Sequence, residues 1–179
     1  KKMSKRYGNV VNPDDVVEQF GADTLRVYES FMGPFAQSIA WNTDSIVGSR
    51  RFLERVWRLA EKASHDTDTK DSPEMEKVLH KTIRKVGEDI ESFSFNTAIS
   101  QLMILVNEME KTDSVSRAHV IVLVHLLSPF APLITEELWH TLGESGSVHS
   151  ALWPKYDERK MTETAFTVAV QVNGKVRAT

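Results

Sequence analysis

Lys2-Met3-Ser4-Lys5-Arg6 places two lysines three residues apart around a small hydroxyl residue and follows them with a third cation. Gly8-Asn9 then signals a turn. A basic loop of this kind suits one chemistry: ammonium groups neutralise a polyphosphate, backbone N–H groups donate to its oxygens, and the loop closes around it. The same residues also read as a solvated charged tail. A second basic constellation is Arg51, Arg55, Arg58 and Lys62, whose spacing of four, three and four puts them on one helix face. Such a stripe can track a phosphate backbone, or it can be a solvated face paired with acids such as Glu54 and Glu61. Lys77, Lys81, Arg84 and Lys85 offer a weaker version of the same pattern.

Composition narrows the classes. Of 179 residues, 41% are hydrophobic and 26% charged, the balance of an ordinary globular chain. The net charge of −3 argues against a chain that is basic throughout, so nucleic-acid contact would need a local basic surface. With no cysteine and six scattered histidines lacking an H-E-x-x-H pair, no metal site is expected. The longest apolar run, Val120 to Leu127, is too short to span a bilayer. Absence of a signal-peptide core and of cysteine points to the cytoplasm.

The elements that must position these residues are mostly helices. Asn12-Pro13-Asp14-Asp15 is a helix start, with Asn12 as cap and Pro13 in the first turn. That helix ends at Gly21, and a second runs from Ala22 to Met32 before Gly33-Pro34. Asn42 or Thr43 caps a long helix from Asp44 to Ala63, with Phe52, Leu53, Val56, Trp57 and Leu59 inward. Ser72-Pro73 opens another, burying Val78, Leu79, Ile83, Val86 and Ile90. Further helices are expected over Phe95–Lys111, Ser114–Leu127 and Ile134–Leu142, with residues 143–165 irregular. Trp57, Trp139 and Trp153 are assigned to the core rather than to base stacking, and Trp41 stays open. Alternation from Phe166 to Val172, followed by Asn173-Gly174, predicts a strand and a hairpin turn. A second strand starting at Lys175 would be cut short, and the chain opens on Lys1, so it is read as a piece of something longer.

Taken in order, these strings resemble class I aminoacyl-tRNA synthetases of the leucine, isoleucine and valine group. The resemblance rests on Lys2 to Arg6 as a KMSKS-type signature, then Asn9, Asn12-Pro13, Gly21 and Ala22-Asp23-Thr24-Leu25-Arg26. Val27 to Pro34, Ile39-Ala40-Trp41 and Val170 to Arg177 are similar to the leucyl enzymes in particular. Phe95 to Ile99, Pro129-Phe130-Ala131-Pro132 and Glu136-Glu137-Leu138-Trp139 resemble the family's helix bundle.

The resemblance implies a mainly α fold: a class I synthetase anticodon-binding-type helix bundle over 43–160. A KMSKS loop and short α-helical stem-contact segment over 1–42 would precede it, and a truncated β-hairpin over 161–179 would follow. It implies that Lys5 is catalytic, stabilising charge on departing pyrophosphate, with Lys2, Met3, Ser4, Lys5 and Arg6 contacting ATP. Arg6 departs from the family's usual serine. It further implies Mg-dependent ATP use, leucine and tRNA-Leu as partners, and tRNA contact through Arg51, Arg55, Arg58 and Lys62. A monomer is expected. The nucleotide-binding fold and HIGH-type motif are absent from the sequence, so the piece alone is expected to be inactive. Rival readings are the equivalent piece of an isoleucyl, valyl or methionyl enzyme, a helical protein-interaction module without an RNA role, and an independent ATP-binding enzyme.

Overall fold

The computed structural model describes residues 3–64, 72–112, 114–162, 170–172 and 175–178. Lys2, the expected strand residues 166–169 and the turn Asn173-Gly174 lie outside them.

Seven helices lie in the described residues: α1 Pro13–Phe20, α2 Ala22–Phe31, α3 Thr43–Ser64, α4 Pro73–Glu91, α5 Phe95–Met109, α6 Arg117–Leu127 and α7 Pro132–Thr141. The starts follow local chemistry. The Asn12 side chain accepts from Asp14 N at 3.3 Å, that of Asn42 from Asp44 N at 3.0 Å, and Ser72 Oγ from Met75 N at 3.1 Å. Each satisfies an N–H that the first turn leaves without a partner. Beyond α7 come two short 3-10 turns, Val148–Ser150 and Glu158–Met161, in the stretch expected to be irregular. Val170–Val172 (β1) pairs antiparallel with Lys175–Ala178 (β2).

Two apolar clusters organise the helices. The larger joins α3 to α7 and takes in Val27 of α2; Ile99, Leu102, Leu105, Leu123, Leu126 and Leu127 are wholly buried in it. Burying a side chain of this size contributes about 1.5–3 kcal/mol. The smaller cluster, Val16, Leu25, Tyr28 and Ile46, fastens α1 and α2 to the start of α3. The Tyr28 hydroxyl donates to Asn42 O at 2.8 Å and accepts from Asn42 N at 3.0 Å, closing the α2–α3 connector from inside.

Several boundaries differ from the sequence reading. α5 stops at Met109, before Lys111, and α6 starts at Arg117 rather than Ser114, because Val115 turns into the core. α7 begins at Pro132 rather than Ile134, since proline suits a first helical position. Trp139 is buried and Trp57 half-buried, but Trp153 is 38% exposed and covers His125 at the surface, ring centroids 5.5 Å apart. After α4, Phe93 takes φ +57°, a left-handed conformation costly for an aromatic residue. Ser94 N reaches Asp89 O at 2.8 Å there, and the Phe93 ring packs at a tilt against Phe35 and Phe95, centroids 5.8 and 5.5 Å away. Those contacts offset the strain in a tight α4–α5 turn.

Candidate phosphate-contacting loop and basic bundle face

The segment that suits a polyphosphate folds as one 3-10 turn, Lys5–Tyr7. Ser4 faces its own backbone: its Oγ accepts from Arg6 N at 3.3 Å, and its N–H donates to Asn9 Oδ1 at 2.8 Å. Gly8 closes the turn at φ +61°, where a side chain would be strained, and its N–H reaches Lys5 O at 3.2 Å. The result is a small internally bonded knuckle with Lys5 and Arg6 exposed on it, neither in an ion pair among the described residues. Met3 is 41% exposed. Chemically the knuckle presents two cations to solvent, without a compensating carboxylate among the described residues.

Helices α1 and α2 connect this knuckle to the bundle. Ala131, which precedes α7, has no side chain able to cap, and Pro132 has no N–H, so Leu133 and Ile134 carry the first free N–H groups of α7. Asp23 of α2 supplies the cap from a distance. Its buried carboxylate accepts from Ile134 N at 2.6 Å and Leu133 N at 3.4 Å. One turn on, the Arg26 guanidinium donates to Pro129 O at 2.9 Å. Arg50 of α3 reaches back to Phe20 O at 3.2 Å.

The basic stripe on α3 divides. Arg51 and Arg58 are exposed. Arg55 is not available as a free cation: its Nε and Nη2 grip the Glu110 carboxylate at 2.5–3.1 Å, and Nη2 also donates to Asn107 Oδ1 at 2.6 Å. The Glu110 hydrogen bond raises the pKa of Arg55 against the opposing effect of burial. Lys62 donates to Thr112 O at 3.2 Å. Two of the four stripe residues therefore tie α3 to the end of α5. The weaker stripe on α4 is partly consumed by its own acids, Arg84 with Glu88 at 3.1 Å and Lys85 with Asp89 at 2.6 Å.

Residues 73–179 match the anticodon-binding domain of tRNA ligase. The chain belongs to that tRNA ligase family. Residues 1–42 match class I tRNA synthetases for I, L, M and V. The chain is 50% identical over 183 residues to leucine–tRNA ligase of Chlorobaculum parvum, a match covering 100% of this chain and 23% of the relative. Its fold superposes with a TM-score of 0.85 on LeuRS of Agrobacterium radiobacter K84 (agnB2), crystallised as a ternary complex with tRNA and LeuAMS. That pair shares 33% identity across 99% of this chain and 25% of the other. The chain thus spans about a quarter of the length of the relatives it matches.

Within this tRNA ligase bundle, one polar cluster had no sequence signal. Glu76 on α4 receives Lys160 Nζ at 2.5 Å, His119 Nε2 at 2.7 Å and His80 Nε2 at 3.4 Å. The Lys160 hydrogen bond, working against burial and aided by His119, lowers the Glu76 pKa to about 2. His80 Nδ1 accepts from Asp157 N at 3.1 Å, so its proton sits on Nε2, facing Glu76. The cluster straps the turn Glu158–Met161 to α4 and α6. Charges 84 residues apart, Glu76 and Lys160, leave no local pattern to read. Among the described residues no three His, Asp or Glu side chains converge as a metal would need, and no helix is long and apolar enough to cross a membrane.

Proposed function

We propose that this chain is the part of a leucine–tRNA ligase that contacts the phosphates of ATP and holds the tRNA body. In the reaction so assigned, the leucine carboxylate attacks the α-phosphorus of ATP, whose phosphates Mg would neutralise, and pyrophosphate leaves; a ribose hydroxyl of tRNA-Leu then attacks the leucyl carbonyl of the adenylate, taking the leucyl group as an ester and releasing AMP. Lys5 is the catalytic residue of this segment, placing its ammonium where negative charge grows on the departing pyrophosphate. Lys2 and Arg6 add to the same field, while Met3 and Ser4 shape the knuckle. Residues 1–42 carry the loop and stem contact, 43–160 the tRNA-holding bundle, and 161–179 the start of a further domain. Arg51 and Arg58 are the stripe residues assigned to tRNA phosphate; Arg55 and Lys62 support them by tying α3 to the end of α5. The parent enzyme works as a cytoplasmic monomer.

The observation that carries this reading is the pair Lys5 and Arg6, exposed and outside any ion pair among the described residues, in a chain 50% identical throughout to a leucine–tRNA ligase. Replacing Lys5 by Ala in the full-length parent tests it through leucine-dependent ATP–pyrophosphate exchange. Loss of one preorganised charge at the reacting phosphates should slow exchange on the order of a hundredfold or more. Exchange within about twofold of the parent rate would be too small a change for a group stabilising the transition state, and would remove the assignment.

A further inference from the structure

The Lys5 knuckle precedes the small Val16–Tyr28 cluster and the basic face of α3 lies on the main bundle, with α2 packed between them through Val27 in the larger cluster and Leu25 and Tyr28 in the smaller. A reaction that needs ATP chemistry at one and a tRNA body at the other depends on how the two are held in register. Apolar packing alone permits small sliding, because it is not directional. Directional bonds remove that freedom; on α2, Tyr28 ties to the start of α3, and two residues one helical turn apart, Asp23 and Arg26, reach the far side of the bundle.

We infer that Asp23 and Arg26 are positioning residues that clasp the α6–α7 bend and so set the tRNA-holding bundle against the ATP loop. The clasp grips the bend from both sides. Arg26 takes Pro129 O before the bend, and Asp23 takes the N–H groups of Leu133 and Ile134 after it. Asp23 is free for this task because α2 starts at Gly21 with no side-chain cap and does not use the carboxylate itself. It is needed for the task because neither Ala131 nor Pro132 can cap α7 locally. Only 8% of Asp23 is exposed, so water does not readily replace the lost acceptor when the side chain is truncated. Arg50, on α3, holds the end of α1 at Phe20 O, so the α1–α2 unit is pinned to the bundle at separate points.

This inference rests on the ligase reading above and adds a distinct consequence. A slackened clasp leaves the knuckle's own hydrogen bonds intact, because these run among residues 4–9. It misplaces the bundle, and with it the tRNA, relative to the reacting atoms. Misplacement by about 1 Å far from the chemistry costs up to about a hundredfold. Transfer to tRNA should therefore suffer while adenylate formation does not.

The test uses the full-length enzyme with Asp23→Ala, Asp23→Asn and Arg26→Ala, each assayed for ATP–pyrophosphate exchange without tRNA and for single-turnover transfer to tRNA-Leu at saturating tRNA. The expected result is exchange within about twofold of the parent enzyme and transfer slowed roughly tenfold or more by Asp23→Ala. Asp23→Asn, which keeps an oxygen acceptor, should recover part of that loss, and Arg26→Ala should fall in the same direction. Equal loss of both activities, or transfer at the parent rate in well-folded Asp23→Asn and Arg26→Ala, overturns the inference. If Asp23→Ala does not fold, Asp23→Asn and exposed Arg26 still decide it. Lys5→Ala in the same assays keeps the two claims apart, since its failure to slow exchange counts against the ligase reading and not against the clasp.

Discussion

Replacing Arg55 by Ala should destabilise the bundle more than it weakens tRNA binding, although Arg55 sits in the middle of the basic stripe. The substitution removes two-pronged hydrogen bonding to Glu110 and the bond to Asn107 at 2.6 Å. The side chains of Arg55 and Glu110 are 27% and 37% exposed, so the pair lies between two known regimes. Open surface pairs contribute about 0–1 kcal/mol, and breaking a fully buried pair costs about 3–5 kcal/mol. Water reaches Glu110 once Arg55 is gone, which discounts the cost to about 1–2 kcal/mol. For a chain of this size that lowers the melting temperature by about 3–6 °C. Urea unfolding of the parent, Arg55→Ala, Glu110→Ala and the double variant should give a coupling of about 1 kcal/mol. Acid should erase it. Arg55 hydrogen bonding, opposed by burial and helped by the charges of Arg55 and Arg58, holds the Glu110 pKa below its usual 4.5. A depressed carboxylate stabilises the fold above its unfolded value, and that contribution is lost as pH falls through the folded value. Coupling below about 0.3 kcal/mol, together with a loss of tRNA affinity as large as that of Arg51→Ala, would show that Arg55 faces RNA and that this ion pair does not hold the helices together.

Arg51→Ala with Arg58→Ala should leave the melting temperature nearly unchanged but reduce the salt slope of tRNA binding by roughly 1.5, measured by filter binding across ionic strengths. Glu76→Gln should cost about 1–2 kcal/mol at neutral pH and flatten the acid limb of stability. In the parent that limb spans the interval from the ordinary 4.5 down to about 2, and calorimetry at several pH values reads it. Gly8→Ala meets no atom within 4 Å, so its only effect is on the backbone at φ +61°. It should cost the knuckle about 1–2 kcal/mol and raise the KM for ATP several-fold without changing global unfolding.

The starts of α1, α3 and α4 were legible from local chemistry, because a cap acts within three residues of its own side chain; those of α6 and α7, which have no side-chain cap of their own, were not. Asn12, Asn42 and Ser72 each close their own first turn, as their positions in the sequence imply. The buried faces of α3 and α4 were legible too, since the 3.6-residue period sorts apolar from polar positions before any partner is known. The sequence also located the basic knuckle around Lys5, and its Gly8 marks the turn that closes it. What it could not decide was which cations remain free. Arg51, Arg55, Arg58 and Lys62 share a face by spacing, but whether a carboxylate stands opposite depends on how α5 packs across α3. Only the fold brings Glu110 to Arg55 and Thr112 to Lys62. Asp23 capping a helix that begins 109 positions later, and Glu76 meeting Lys160, follow the same logic. Charge and hydrogen-bond partners are settled by distance in space, whereas helical periodicity and capping act along the chain.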